Sequence, residues 1–318
     1  MLRSLYSGIS GMRGFQTKMD VIANNIANVN TTAFKSSRIS FQDMLSQTTA
    51  NASSPTGNGL GGINSKQIGL GVKVGSIDMM MGGGALQPTN RDLDFAIENE
   101  GFFVVSSDVS DVDSESPLLE DATVGTIQYT RDGAFFRDYE GNLVNASGQR
   151  VLGYVTGGLV VDEDNPNPEV IDPEELTDGD YQDFLKPLKI ADIDEDGGEL
   201  QSFSIDTSGK IIAVYSSEEG ATTRILGQIA ITKFSNPEGL TKAGGNTFNE
   251  SNNSGRTQFG LAGANGFGNI RQGFLEMSNV DLANEFTEMI VASRAYSANS
   301  RSITTSDEML QELINLKR

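Results

Sequence analysis

The chain has 318 residues, of which 37% are hydrophobic and 7% aromatic, with 36 glycines and no Trp, Cys or His. Without Cys and His it lacks the usual thiolate and imidazole groups, so Ser-His-Asp and Cys-His catalysis are excluded. The net charge of −20 argues against nucleic-acid binding, because no basic stripe is present to neutralise phosphates.

A seven-residue hydrophobic pattern predicts an amphipathic helix over about residues 2–29. Two positions of the seven-residue repeat, called the seam, are apolar throughout this stretch except at Gln16. The seam residues that we expect to drive self-assembly here are Leu2, Leu5, Ile9, Met12, Met19 and Ile26.

Three glycines, Gly8, Gly11 and Gly14, are spaced three residues apart within this helix. They would form a strip without side chains, against which another backbone could pack closely. The alternative is fraying of the helix end, because each Gly costs up to about 1 kcal/mol of helix propensity relative to Ala.

The central part of the chain has the pattern of an antiparallel β domain. Residues 46–66 are rich in Ser, Thr, Asn and Gly and are expected to form a flexible connector into that domain. Short β-type runs follow, separated by turn pairs such as Asp132-Gly133. The predicted strands are Gly71–Ile77, Leu93–Ile97, Phe102–Ser106, Thr126–Thr130, Asn142–Asn145, Arg150–Val155, Ser202–Ile205, Lys210–Tyr215 and Gln228–Phe234.

The negative charge is concentrated in two segments. Residues 108–121 hold six acids and no base, and residues 155–200 hold fifteen acids and two bases. The rest of the chain is nearly neutral, with 22 acids and 21 bases. We therefore expect an acidic surface excursion over residues 156–200.

A second heptad pattern predicts a long helix over about residues 279–316, with Ser278 or Asn279 as its N-cap. Its expected self-assembly residues are Leu282, Phe286, Met289, Tyr296, Ile303 and Leu310. Two such helices should pair with each other in a coiled-coil-like manner. The alternative is that both are core helices of an ordinary domain.

These elements predict an α+β fold. Residues 1–45 and 275–318 are assigned to a terminal helical domain, and residues 46–274 to a β-rich domain with the connector and the acidic excursion.

No motif in the chain predicts a catalytic, cofactor-binding or metal site. Residues 192–197 resemble the start of an EF-hand loop, but the twelfth position is Phe203 where a bidentate Glu is needed. The glycine runs 57–62 and 82–84 lack the Gly-Lys-Ser/Thr of a phosphate loop. A calcium-dependent adhesin using Asp192–Asp196 and an acid-rich hydrolase with perturbed carboxylates stay as alternatives. The expected protein is not an enzyme.

Four segments, in order along the chain, resemble the flagellar rod and hook protein family. They are residues 23–35 (ANNIANVNTTAFK), 93–103 (LDFAIENEGFF), 129–135 (YTRDGAF) with 141–144 (GNLV), and 279–296, which begins NVDLANEF. Within the family, residues 67–72 (QIGLGV) and 234–240 (FSNPEGL) resemble hook proteins most closely. The expectation is therefore a flexible hook subunit that lacks a large outer domain; the alternative is a distal rod subunit.

The resemblance implies a helical homopolymer with the terminal helices as an inner tube and the β domain as a shell. Implied partners are the distal rod, the hook cap, the hook–filament junction proteins and the flagellar type III export apparatus. It implies an extracellular location in the hook or basal body and no membrane insertion. The N-terminus does not have the pattern of a cleavable signal peptide, so export without one is expected.

Overall fold

A computed structural model describes residues 2–54, 61–107, 127–160, 185–193, 197–217, 220–264 and 266–316. The described part contains two long helices and twenty strands, and every strand pair within it is antiparallel. The predicted α+β class is confirmed. The chain divides into two compact units, residues 1–29, 35–80 and 280–318 in the first, and residues 30–34 and 81–279 in the second.

The first unit contains both helices, α1 (Leu2–Ala27) and α2 (Leu282–Leu316). It also contains four strands, β1 (Ser37–Asp43), β2 (Ser46–Ala50), β3 (Lys66–Gly69) and β4 (Val72–Met79). Strand β1 pairs with β4, and β2 pairs with β3. The stretch 46–66, expected as a flexible connector, thus contains paired strand residues; residues 55–60 lie outside the described part, and its flexibility stays a prediction.

The start of α2 differs from the prediction. The carboxylate of Asp281 accepts hydrogen bonds from the backbone N–H groups of Ala283 at 2.9 Å and Asn284 at 3.4 Å. Asp281 is therefore the N-cap, in place of Ser278 or Asn279, because its side chain reaches the free amides of the first turn.

The second unit is built on a sheet with the main strand order β13-β14-β15-β11-β7-β8-β17-β16. Its strands are β5 (Leu86–Pro88), β6 (Phe95–Glu98), β7 (Phe102–Ser106), β8 (Ile127–Thr130), β9 (Phe136–Arg137), β10 (Leu143–Val144), β11 (Arg150–Val160), β12 (Leu185–Pro187), β13 (Glu199–Ile205), β14 (Lys210–Ser217), β15 (Gly220–Lys233), β16 (Thr241–Gly244), β17 (Thr247–Asn249), β18 (Gln258–Leu261), β19 (Asn269–Gln272) and β20 (Phe274–Glu276). Each of the nine predicted strands overlaps one of these or β4.

Neighbouring residues of β7 pack on opposite faces of the sheet, as the two-residue period of a strand requires. The ring of Phe103 lies 5.2 Å from that of Phe135 within the main core cluster. The ring of Phe102 lies 5.7 Å from that of Phe234. The Gly-Phe-Phe segment therefore supplies one aromatic anchor to each face.

The acidic segments fall largely outside the described part. Residues 108–126, 161–184 and 194–196 are not described, so the predicted excursion over 156–200 stays a prediction for most of its length.

Candidate assembly surface on the terminal helices

Helices α1 and α2 lie antiparallel against each other. The hydroxyl oxygens of Ser4 and Ser306 are 3.4 Å apart, and the Lys18 ammonium lies 2.8 Å from the Glu288 carboxylate. Higher residue numbers on α1 therefore lie opposite lower residue numbers on α2, as expected for an antiparallel pair. The helix pairing expected from the two heptad patterns is present within one chain.

Close approach of the helices depends on small side chains. A Cβ added at Gly8 would lie 3.0 Å from Cγ1 of Ile303, and one added at Gly11 would lie 2.8 Å from Nδ2 of Asn299. A Cβ at Gly14 would lie 2.9 Å from the Phe41 ring, which belongs to β1. Two glycines therefore face α2 and the third faces strand β1.

The end of the helix interface is fixed by Asn25, whose side chain is buried. Its amide exchanges two hydrogen bonds with the backbone of Ser37, at 2.9 Å and 3.0 Å, and donates to the Glu285 carboxylate at 3.0 Å. Burial is the main cause that raises the pKa of Glu285, with Glu288 and Asp281 adding to it, against the hydrogen bond from Asn25 and the charge of Lys18. One amide thus joins α1, α2 and the first residue of β1.

The predicted seam residues only partly face the partner helix. On α1, residues in contact with α2 include Ser4, Gly8, Gly11, Lys18 and Asn25. The predicted α1 seam lies beside this face: Leu5, Met12, Met19 and Ile26 are half-buried, Ile9 is exposed, and the side chain of Leu2 is not described. On α2, Met289, Ile303 and Leu310 are half-buried, and Leu282, Phe286 and Tyr296 are exposed. The self-assembly role of these residues stays a prediction.

Two buried apolar residues of the helices were not predicted, Ile22 and Ala292. A signal for Ile22 exists, because it follows Gly8 and Phe15 at seven-residue spacing. The exposed apolar residues Ile290, Val291, Met309 and Leu313 were also missed. They lie outside the heptad seam, on other sides of α2, so a single-seam search cannot find them.

Several large apolar side chains of α2 are exposed in the single chain. Phe286 is 50% exposed, Ile290 55% and Val291 57%. At 100° per residue, Phe286 and Val291 lie about 140° apart around the helix. A helix that is apolar on more than one side needs more than one neighbour to bury it.

In the second unit, a buried ion pair joins residues 129–135 to Glu276, and its arginine also binds residues 93–103. Arg131 is 5% exposed and Glu276 2%, and Nε of Arg131 lies 2.7 Å from Oε2 of Glu276. The Arg131 guanidinium also donates to the carbonyl oxygens of Ile97 at 3.2 Å and Gly101 at 2.8 Å. Its role is therefore to fix the turn between β6 and β7.

The segment that resembles the start of a calcium-binding loop is only partly described. Asp192 bonds to the guanidinium of Arg137, and residues 194–196 lie outside the described part. Within the described residues, no group of three or more acidic side chains is arranged to hold a metal ion. In that same part of the chain, neither helix is long and apolar enough to cross a bilayer.

Three family descriptions match parts of the chain. Residues 5–35 match "Flagella basal body rod protein", residues 121–213 match "Flagellar hook protein FlgE/F/G D1 domain", and residues 271–316 match "Flagellar basal body rod FlgEFG protein C-terminal". The first of these ranges covers most of α1, including Asn25, and the last covers all of α2.

Full-length relatives carry rod and hook names. The chain is 46% identical over 319 residues to the flagellar basal-body rod protein FlgG of Bacillus subtilis, with all of both chains covered. In Borreliella burgdorferi, it is 39% identical over 319 residues to the rod protein FlgG and 32% identical over 449 residues to the hook protein FlgE, again with full coverage of both chains. The hook expectation is thus less well supported than the rod alternative. The chain belongs to the family of flagellar hook and basal-body rod proteins.

Proposed function

We propose that the chain is a structural subunit of the distal rod, which polymerises into a straight, stiff tube, rather than a subunit of the flexible hook. The observation that carries this choice is length. Alignment with the rod relatives spans 319 positions, close to the 318 residues of the chain, whereas alignment with the Borreliella hook relative spans 449. The hook relative therefore carries additional residues that this chain lacks.

The exposed apolar faces of the terminal helices support polymerisation. Burying one large apolar side chain contributes about 1.5–3 kcal/mol, so several such side chains per subunit supply a large part of the assembly energy. In the proposal, α1 and α2 form the inner tube and the β-rich unit forms the shell.

The remaining assignments follow from this proposal. The subunit acts without catalysis, its main partner is a second copy of itself, and it is exported by the flagellar type III apparatus without a cleaved signal peptide. The hook cap and the hook–filament junction proteins belong to the hook alternative, which the segments 67–72 and 234–240 favour.

Electron microscopy of the concentrated protein, seeded with basal-body ends, tests the proposal. Straight rigid tubes are the expected result. Curved or supercoiled tubes would establish the hook alternative. Monomers alone, under conditions in which a known rod protein polymerises from the same seeds, would overturn both.

A further inference from the structure

Helix α2 extends beyond the start of α1. Since Ser4 lies opposite Ser306 and Gly8 opposite Ile303, Leu2 lies opposite about residue 308. Residues 309–316, called the C-terminal overhang here, therefore have no α1 residue beside them among the described residues. At 1.5 Å per residue the overhang is about 12 Å long.

The C-terminal overhang is apolar and uncovered, with acids beside it. Met309 is 50% exposed, Leu313 49% and Leu316 82%. Glu308 and Glu312 are exposed, and neither takes part in an ion pair within the described residues. The surface that covers the overhang must therefore combine apolar side chains with basic ones.

A matching surface lies on the same unit, in a groove of about 400 Å³ between α1 and the strands that follow it. The apolar lining of this N-terminal groove includes Tyr6, Ile9, Met44 and Leu70. Its basic lining residues are Arg13 and Lys73, both exposed, and neither is in an ion pair within the described part of the chain.

The groove cannot be filled by the overhang of its own chain. The groove side of α1 lies about 130° around the helix from the side that contacts α2, at 100° per residue. In the antiparallel register Ile9 lies level with about residue 301, so Leu313 is about 18 Å further along the helix axis. The occupant has to come from another chain.

We propose that the C-terminal overhang of one copy binds in the N-terminal groove of another copy, with Glu308 and Glu312 facing Arg13 and Lys73. This inference rests on the proposed self-assembly and names one of its contacts. In this arrangement each copy binds one neighbour through its groove and a different neighbour through its overhang, so the contact is head-to-tail. Repetition of it produces an open polymer with a direction.

The sequence contains no cysteine, so a disulfide between introduced cysteines can test the proposed contact. The double variant Ile9→Cys, Leu313→Cys is oxidised during polymerisation and analysed on a non-reducing gel, with each single variant as a control. An intrachain bond is excluded, because disulfides need Cα atoms within about 7 Å. The expected result is a ladder of multimers from the double variant and at most dimers from each single variant.

Charge reversal tests the same contact without a covalent bond. Arg13→Glu with Lys73→Glu should raise the critical concentration for polymerisation by about tenfold or more, because like charges then face each other. Adding Glu308→Arg and Glu312→Arg should restore it to within about threefold of the wild-type value. The matched control adds Asp20→Arg and Asp43→Arg, two exposed acids of the same unit that do not line the groove, and should not restore it.

The outcomes separate this contact from the proposed function. Straight tubes without a ladder and without charge rescue would overturn the overhang contact and leave the rod proposal standing. A ladder with charge rescue but no tubes would support the contact and overturn the rod proposal. Absence of both tubes and ladder would overturn both.

Discussion

At the scale of single residues, the chain uses a few buried polar groups to set the course of the backbone. The Asn25 amide binds the backbone of Ser37, at the start of the β1–β4 pair, because it both donates to and accepts from that backbone. A buried amide whose donors and acceptor are all used is specific to Asn, since no apolar residue satisfies the same backbone groups. This explains why one Asn in the segment 23–35 is buried while its neighbour Asn24 is exposed.

The substitution Asn25→Ala should lower the free energy of unfolding of the helical unit by about 1–3 kcal/mol, because it leaves the N–H and C=O of Ser37 without partners. Urea titration followed by the helical circular-dichroism signal measures this loss. Asn24→Ala is the matched control and should change the free energy by less than about 0.5 kcal/mol, as an exposed position. Equal losses in the two variants would contradict the assigned role of Asn25.

Breaking the buried ion pair between Arg131 and Glu276 should cause a larger loss of stability. Glu276→Ala leaves the Arg131 charge buried without its partner and should cost about 3–5 kcal/mol of stability. Glu98→Ala breaks the partly exposed pair with Arg271 and should cost at most about 1 kcal/mol. Thermal unfolding of both variants checks the difference, and a Glu276→Ala protein as stable as Glu98→Ala would refute the assignment.

Glu285 makes the stability of the fold depend on pH. Its pKa in the folded chain is raised above the ordinary value, first by burial and then by Glu288 and Asp281. The folded state therefore holds the proton more tightly than the unfolded state, so this group stabilises the fold at low pH. That contribution is lost as pH rises through the raised pKa. Glu285→Gln should flatten this part of the stability curve, which urea midpoints between acid and neutral pH measure. An unchanged slope would contradict the expectation.

At the scale of elements, apolar periodicity predicted both long helices and the short strands with clear turn signals. Strand β1 was missed although Ile39 and Phe41 alternate with polar residues, because the run is short and contains Ser, Arg and Asp. On the face of α1 toward α2, the glycine spacing singled out Gly8 and Gly11. The serine and polar residues of that face, Ser4, Lys18 and Asn25, were missed, because a search for apolar residues does not detect them.

Ile303 tests the helix pairing, because its side chain lies against the strip at Gly8. We expect Ile303→Asp to separate the two helices by placing a charge in their interface, and to block polymerisation. The β-rich unit should stay folded, as followed by the near-ultraviolet signal of its tyrosines. Thr304→Asp, at the neighbouring exposed position, should polymerise normally. Normal tubes from Ile303→Asp would refute the pairing as a requirement for assembly.

At the scale of the whole molecule, charge is divided between the two units. Residues 1–29, 35–80 and 280–318 hold nine acids and eleven bases, whereas residues 30–34 and 81–279 hold 34 acids and twelve bases. The unit that carries the exposed apolar helices is thus nearly neutral, and the unit with the sheet carries the net negative charge. Apolar helix surfaces can associate without strong repulsion between like charges, while the acidic unit keeps unassembled chains soluble.

This division predicts how polymerisation responds to the acidic segments. Replacing the six acids of residues 108–121 by their amides brings the net charge from −20 to −14 and should lower the critical concentration for polymerisation, because repulsion between neighbouring acidic units decreases. Raising the salt concentration should have the same effect on the wild-type chain and a smaller effect on the variant, since salt screens charges beyond about 10 Å at 0.1 M. Light scattering across a dilution series at two salt concentrations measures both. If the variant polymerised no more readily than the wild type at low salt, repulsion between these segments would not limit assembly, and the charge division would serve solubility alone.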